Sequence, residues 1–142
     1  PPFTNMAEKM GMVRIAFVGD ALQIPMSGLV TSEKLLRERP DYVRSFIKAT
    51  HKGLKYFLDN KSESIAMLSR VTPMEPEVAR TTYDFYRTIM TKDGIPSDRA
   101  LADDFEITRQ MLKKEGQAFT RAQAEQKMYD FALLKDVIKS AR

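Results

Sequence analysis

Cysteine and tryptophan are absent from this sequence of 142 residues, and histidine occurs once. Without cysteine, these residues form no disulfide, hold no metal through thiolates and offer no cysteine nucleophile. The one histidine, His51, lies in a basic stretch with no serine or aspartate arranged to make it a general base. We therefore expect no catalytic residue, no cofactor and no metal in this chain, and we predict that it is not an enzyme.

Long apolar runs and basic tracts are also missing. No apolar run approaches the roughly 18 residues of a membrane-spanning helix. The net charge of +4 is spread along the chain, so no tract has the basic density that follows a phosphate backbone, and we expect no nucleic-acid partner. The sequence opens on Pro1-Pro2-Phe3 without an initiator methionine or a signal sequence, which we interpret as a truncated fragment of a longer protein.

Helical signals dominate the chain from Ser32 onward. Ser32 is placed to cap a helix that must stop before Pro40, and the next helix is expected to begin near Asp41. In that long helix, apolar residues recur at steps of three and four, which places them on one stripe. The stripe comprises Val43, Phe46, Ile47, Thr50, Leu54, Phe57 and Leu58.

Later helices are predicted from caps and breakers of the same kind. The starts are Asn60 with Glu63, Glu75 with Pro76, Ser97, and Thr120 with Gln123, while Asp93-Gly94 and Gly116 are stops. In the helix after Pro76, Val78, Phe85, Tyr86 and Ile89 are expected to face inward. The tail from Met128 to Ile138 is apolar on one side, so we expect it to dock on the body.

The first part of the chain predicts a short helix and about two short strands. Thr4 or Asn5 can cap a helix that Gly11 ends. Residues 13–18 are β-branched and apolar, as in a strand buried on both faces, and residues 28–31 form a second candidate. Pro25 makes the intervening stretch a connector. Two strands cannot cover the apolar faces of so many helices, so we infer that part of a sheet is missing.

Several acidic, methionine and aromatic residues are more typical of structural positions than of metal-binding or ligand-binding sites. Asp103 and Asp104 are adjacent on a helix and point in different directions, so we interpret them as a solvated face and not as a metal site. Nine methionines are compatible with a soft binding surface or a copper site, but without a recurring cluster we assign them to the core. The aromatic residues Tyr83, Phe85, Tyr86 and Tyr129 are assigned to the core or its rim.

The order of segments along the chain is more specific than any single residue. The segments are Pro1-Pro2-Phe3, residues 7–11, 15–20, 25–36 and 39–46, then Gly53-Leu54-Lys55-Tyr56-Phe57 and residues 129–134. Together they resemble the C-terminal part of the solute-binding proteins of ABC transporters. The group they resemble is the nitrate/sulfonate/taurine type, which also includes binders of thiamine-pyrimidine precursors.

The resemblance implies an α/β parent of the type II periplasmic-binding-protein-like class, with two lobes, a hinge and a ligand cleft. Residues 1–24 would be a remnant of the second lobe, with its short helix and last strand. Residues 25–31 would form the hinge or return crossing. Residues 32–142 would be the helical C-terminal part of the first lobe, which makes the fragment itself mostly α-helical with about two short strands.

The same resemblance places Pro1, Pro2, Phe3, Ser27 and Gly28 at the ligand cleft. Segments rich in proline or glycine leave backbone groups open to a ligand, and the Ser27 hydroxyl can donate to an oxyanion or a ring nitrogen. In the alternative interpretation, Pro25 and Gly28 only shape the hinge. For Phe3 two roles are open, since its ring can cover a ligand ring or fill the core.

Three functions remain open. The first is an exported receptor, periplasmic or extracellular and membrane-associated, that binds a small anionic or heterocyclic molecule and passes it to an ABC permease without catalysis. The second is an enzyme of the thiamin-pyrimidine synthase branch, which would require a cysteine-rich iron-binding segment with an active-site lysine and histidine. The third is a helical protein-interaction module. For the fragment alone we expect an exposed apolar surface and self-association through it.

Overall fold

The computed structural model describes residues 2–114, 120, 122, 123 and 128–140, and this part of the chain is mostly helical. Its helices are α1 (Phe3–Lys9), α2 (Val18–Ala21), α3 (Glu33–Glu38), α4 (Pro40–Asp59), α5 (Lys61–Val71), α6 (Pro76–Ile89), α7 (Asp98–Lys114) and α8 (Ala132–Ser140). The chain divides into two compact units. The first unit comprises Pro1–Phe17 and Thr50–Gly94, and the second comprises Val18–Ala49 and Ile95–Arg142.

The predicted starts at Ser32 and Ser97 are confirmed together with their capping chemistry, whereas the predicted cap at Thr4 or Asn5 is wrong, because α1 begins at Phe3 after Pro2. The Ser32 hydroxyl accepts a hydrogen bond from the Leu35 amide at 3.1 Å, and α3 ends before Pro40. The Ser97 hydroxyl accepts from the Ala100 amide at 3.2 Å at the start of α7. Each cap satisfies an amide that the first turn of a helix leaves without an intrahelical partner.

Of three further predicted helix boundaries, one is confirmed, one is wrong in its capping contact and one lies outside the described residues. Thr120 and Gln123 form the expected reciprocal pair, since the Thr120 amide donates to Gln123 Oε1 at 2.9 Å and the Gln123 amide donates to the Thr120 hydroxyl at 3.3 Å. The helix predicted after Asn60 begins at Lys61, but the capping box is wrong, because the Asn60 side chain donates back to the Tyr56 carbonyl at 2.9 Å. Gly116 lies outside the described residues.

The core of the first unit is built around α6, which packs against α5 and α1. Tyr83 is fully buried, its ring centroid lies 5.0 Å from that of Phe57, and its hydroxyl donates to the Phe57 carbonyl at 3.1 Å. The Ser64 hydroxyl donates to the same carbonyl at 3.2 Å. Phe57 is in the last turn of α4, where carbonyls lack intrahelical partners. Tyr83 and Ser64 therefore complete the end of α4 while they fill the core.

The core of the second unit contains Val43, Phe105 and Val137, which are all buried. Tyr129 makes an edge-on ring contact with Phe105 at 6.1 Å, and its hydroxyl donates to an Asp104 oxygen at 2.9 Å. These contacts confirm that the tail docks through the apolar face predicted for it. Within the described ranges, no helix has the length and apolar character needed to cross a membrane.

The two predicted strands are wrong, because the described residues contain no β-strand. Residues 12–17 have no regular secondary structure, Val18 begins α2, and residues 22–32 are irregular. Val13 is 85% exposed and Val30 is 97% exposed. Strand propensity expresses how well a residue fits a half-buried pleated surface, and no neighbouring strand provides that surface here.

Two expectations about the core are also corrected. Phe46 in α4 and Ile89 in α6 are 54% and 52% exposed, although their spacing predicted an inward position. None of the methionines is buried, and seven of the nine are exposed, so the interpretation of methionine as core filling is wrong. Apolar residues at helical spacing indicate a helix face that packs against another apolar surface. Spacing alone does not show that this surface belongs to the same chain. The expected exposure of large apolar side chains is observed, and self-association stays a prediction.

Candidate functional site

The first predicted ligand-contact residues lie at the start of α1. Pro2 is half-buried at the N-cap position, and Phe3 in the first turn is 76% exposed, while Pro1 lies outside the described residues. The Asn5 side-chain amide donates to the Thr81 hydroxyl at 3.1 Å, which fixes α1 on α6. Phe3 therefore does not fill the core of this unit, and its ring is open to solvent.

The second group, Ser27 and Gly28, lies in the irregular stretch of residues 22–32, and both residues are exposed. The Ser27 hydroxyl makes no hydrogen bond with any other residue that the structure describes. A Cβ atom at Gly28 would meet no atom within 4 Å, and Gly28 is not among the glycines with positive φ. Its backbone conformation therefore does not require glycine, which weakens the interpretation that Gly28 only shapes a hinge.

These residues belong to two separate stretches of the sequence. Pro2 and Phe3 belong to the first unit, whereas Ser27 and Gly28 belong to the second. Each pair consists of sequence neighbours. Their assignment to one cleft accordingly stays a prediction.

The stretch that carries Ser27 is held at its beginning by a carboxylate. The Gln23 amide donates to Asp103 Oδ2 at 3.1 Å, and Arg99 Nε lies 3.8 Å from the same oxygen. The neighbouring Asp104 accepts from Tyr129. The prediction of a solvated face at Asp103-Asp104 is correct only in part, since both residues are half-buried and each carboxylate has its own partner. Gln23 and Tyr129 lie 80 and 25 positions away, so no local sequence signal could have identified them, whereas Arg99 is an (i, i+4) neighbour on the same helix.

The titratable groups with perturbed pKa values act as structural contacts. Burial, and then the hydrogen bond to Asp104, raise the pKa of Tyr129 to about 12, so its hydroxyl stays protonated at neutral pH. Hydrogen bonds from Arg109 and Gln110 lower the pKa of the exposed Glu106 to about 2. His51 is half-buried in α4. The histidine and acidic residues that the structure describes form no group of three or more suited to a metal ion.

Residues 12–17 form a second candidate surface, an exposed segment with strand-type composition. The segment is fixed at its start by the ion pair between Arg14 and Glu8 at 2.9 Å, and at its end by the edge-on contact between Phe17 and Phe85 at 5.6 Å. Between these points Ile15 is 99% exposed. Residues 13–16 and 24–31 make no backbone-to-backbone hydrogen bond with the rest of the described chain. Such free amides and carbonyls can pair with another strand.

Comparison with known proteins finds a family model that matches part of the chain. No curated protein and no solved structure matches the chain. Ser27 and Gly28 and the exposed segment of residues 12–17 lie inside the region that matches a family model, whereas Pro2 and Phe3 immediately precede it. The matching family includes the nitrate, sulfonate and taurine solute-binding proteins of ABC transporters as well as THI5. Residues 4–64 thus match the model of the family described as NMT1/THI5 like.

Proposed function

We propose that this chain is part of the solute-binding receptor of an ABC importer and contributes to a ligand cleft without catalysing a reaction. The observation that carries the proposal is the match of residues 4–64 to the NMT1/THI5-like family model. The match spans residues 13–16 and 24–31, which make no backbone-to-backbone hydrogen bond with the rest of the described chain. The receptor is exported and delivers its ligand to a membrane permease.

The exposed segments support a parent with a β-sheet. Ile15 and Val30 are almost fully exposed, at 99% and 97%. Burying a Val or Ile side chain contributes about 1.5–3 kcal/mol, so these residues would gain substantially from a neighbouring strand. We propose that residues 13–18 and 28–31 pair with strands encoded outside these 142 residues, in an α/β lobe.

The exposed residues at the predicted cleft favour a small anionic or heterocyclic ligand. The Ser27 hydroxyl can donate to an oxyanion or a ring nitrogen, and the open Gly28 backbone allows a ligand to approach closely. The exposed Phe3 ring can cover an aromatic heterocycle. A polar donor combined with an apolar cover is typical of small-molecule sites.

A thermal-shift titration of the complete reading frame that contains this chain tests the receptor proposal. The ligand panel is nitrate, taurine, bicarbonate and an aminopyrimidine. We expect one ligand class to raise the unfolding midpoint in a saturable way, because a ligand that binds only the folded state stabilises it. Ser27→Ala should weaken that shift, while Ser45→Ala, an exposed serine in α4, should leave it unchanged. No shift with any member of the panel, or equal losses in the two variants, would contradict the proposal.

An enzyme is the second candidate, because the matching family also includes THI5. This chain has no cysteine, so an iron-binding cysteine segment would have to lie outside these residues. Metal analysis of the purified complete protein separates the two functions. Iron bound in stoichiometric amount together with turnover of the ligand favours the enzyme, whereas reversible binding without turnover favours the receptor.

A further inference from the structure

Three exposed methionines occur in and immediately after α1. Met6, Met10 and Met12 fall within seven residues of sequence and are 45%, 77% and 59% exposed. Core packing does not account for side chains this accessible. All three belong to the first unit.

The backbone brings the three residues close together at the end of α1. The Met10 amide donates to the Met6 carbonyl at 3.2 Å, so these two residues lie one turn apart on the same face. Gly11 has a φ of 87°, and its amide donates to the Glu8 carbonyl at 3.0 Å. The Met12 amide donates to the Ala7 carbonyl at 3.1 Å, which completes a Schellman ending. In such endings the side chain two positions beyond the cap commonly contacts the last full turn, and that turn includes Met6.

Two further contacts hold this arrangement in place. Arg14 donates from Nε to Glu8 Oε1 at 3.0 Å and forms an ion pair with the same oxygen at 2.9 Å, which ties the loop after Met12 back to α1. Asn5 bonds to both Thr81 and Thr82 of α6, which fixes the helix on the body of the unit. Ligands held in place before the metal binds lose less conformational entropy on binding.

The chemistry of the cluster selects a soft monovalent metal ion. Thioether sulfur is a neutral, polarizable ligand that favours Cu(I) over hard cations. The chain contains no cysteine thiolate that would compete for such an ion. We propose that Met6, Met10 and Met12 bind one Cu(I) ion through their three Sδ atoms. This inference is independent of the proposed receptor function.

Titration of the 142-residue chain with Ag(I), a stand-in for Cu(I) that does not change oxidation state in air, tests the site. The readout is the NMR spectrum of the nine methionine methyl groups, labelled with carbon-13. We expect the signals of Met6, Met10 and Met12 to shift together and to saturate at one equivalent. The signals of the exposed Met26 and Met111 should not move over the same range. A parallel titration with Cu(I), buffered by a chromogenic chelator under anaerobic reducing conditions, gives the affinity.

Methionine-to-leucine variants supply the controls, because this exchange keeps volume and helix propensity nearly constant. Met12→Leu should weaken binding at least tenfold, and the triple variant at positions 6, 10 and 12 should bind no ion at the methionine signals. Met26→Leu, at a position that is 86% exposed, should bind as the parent chain does. Circular dichroism verifies that each variant keeps its helices. Binding retained by the triple variant, signals that shift uniformly across all methionines, or an equal loss in Met12→Leu and Met26→Leu would overturn the proposal.

Discussion

Helix α6 and residues 12–17 are both rich in apolar side chains, yet their environments are opposite. In α6, Val78 is 2% exposed and Tyr83 is fully buried, whereas in the other segment Val13 is 85% and Ile15 is 99% exposed. A helix satisfies its backbone hydrogen bonds internally and needs only a surface for one face. A strand also needs a neighbour for its amides and carbonyls. The comparison shows that the availability of a partner, more than side-chain type, decides which of these residues are buried.

The largest change in the free energy of unfolding is expected from substitution of Tyr83 in the core of the first unit. Tyr83→Ala should lower the free energy of unfolding by about 3–5 kcal/mol, because it removes a fully buried ring and leaves a cavity. Tyr83→Phe should cost only about 1 kcal/mol, since it removes just the hydroxyl that bonds to the carbonyls of Phe57 and Leu58. Urea denaturation measures both values. Tyr42→Ala, at a tyrosine that is 53% exposed, serves as the control and should cost less than about 1 kcal/mol.

A smaller effect is expected from two serines that differ in hydrogen bonding. Ser97→Ala removes the cap of α7 and should cost about 1 kcal/mol, because the Ala100 amide loses its acceptor. Ser27→Ala in the irregular stretch should change the free energy of unfolding by less than about 0.5 kcal/mol. If the two substitutions destabilised the chain equally, the Ser27 hydroxyl would have a structural partner, and its assignment to ligand binding would lose support.

The contact between Tyr129 and Asp104 should be visible in a pH titration. The pKa of Tyr129 is raised from 10.0 to about 12, chiefly by burial. Because the folded-state pKa is higher than the unfolded value, the stability from this contact is fully present below pH 10.0 and is lost as the pH rises toward about 12. Ultraviolet absorbance of ionised tyrosine follows the titration. Asp104→Asn should lower the Tyr129 pKa only in part, since burial remains, and Asp103→Asn should leave it unchanged.

The smallest change in the free energy of unfolding is expected from substitutions at the exposed residues Ile15 and Val30. Ile15→Ala and Val30→Ala should each change the free energy of unfolding of this chain by less than about 0.5 kcal/mol, because both side chains already lie in water. In the complete protein the same substitutions should cost about 1 kcal/mol or more, if those residues are buried against a strand there. Equal and negligible effects in both proteins would contradict the proposed pairing.

The helices were predictable because their signals are local. Ser32 and Ser97 cap the helices that they were expected to cap, and Pro40 and Pro76 lie at helix starts. The strands were not predictable in this way, since residues 13–18 carry the correct composition but lack a partner in the described chain. Phe46 was misassigned for the same reason, because helical spacing reports an apolar face without identifying what covers it.

For the candidate ligand site, the sequence predicted correctly only that Ser27 and Gly28 are accessible to a ligand. Ser27 and Gly28 are open, as a ligand-contact role requires, but their relation to Phe3 depends on contacts that no local pattern encodes. Sequence analysis did not group the three methionines of the proposed Cu(I) site, because Met12 lies beyond the turn at Gly11 and outside the spacing of the helix. A glycine between methionines after a short helix was the signal that could have revealed it.

Amide hydrogen exchange tests the contrast between the two regions most directly. We expect the amides of residues 13–16 and 24–31 to exchange at nearly the rate of an unfolded chain, because they have no backbone acceptors among the described residues. The amides of Ala79, Thr82 and Tyr83, which lie beyond the first orphan amides of α6, should be strongly protected in the same sample. In the complete protein, protection should appear at residues 13–16. Strong protection of these residues in the 142-residue chain itself would contradict the account, because it would show that the strand-type segments find their partners within this chain.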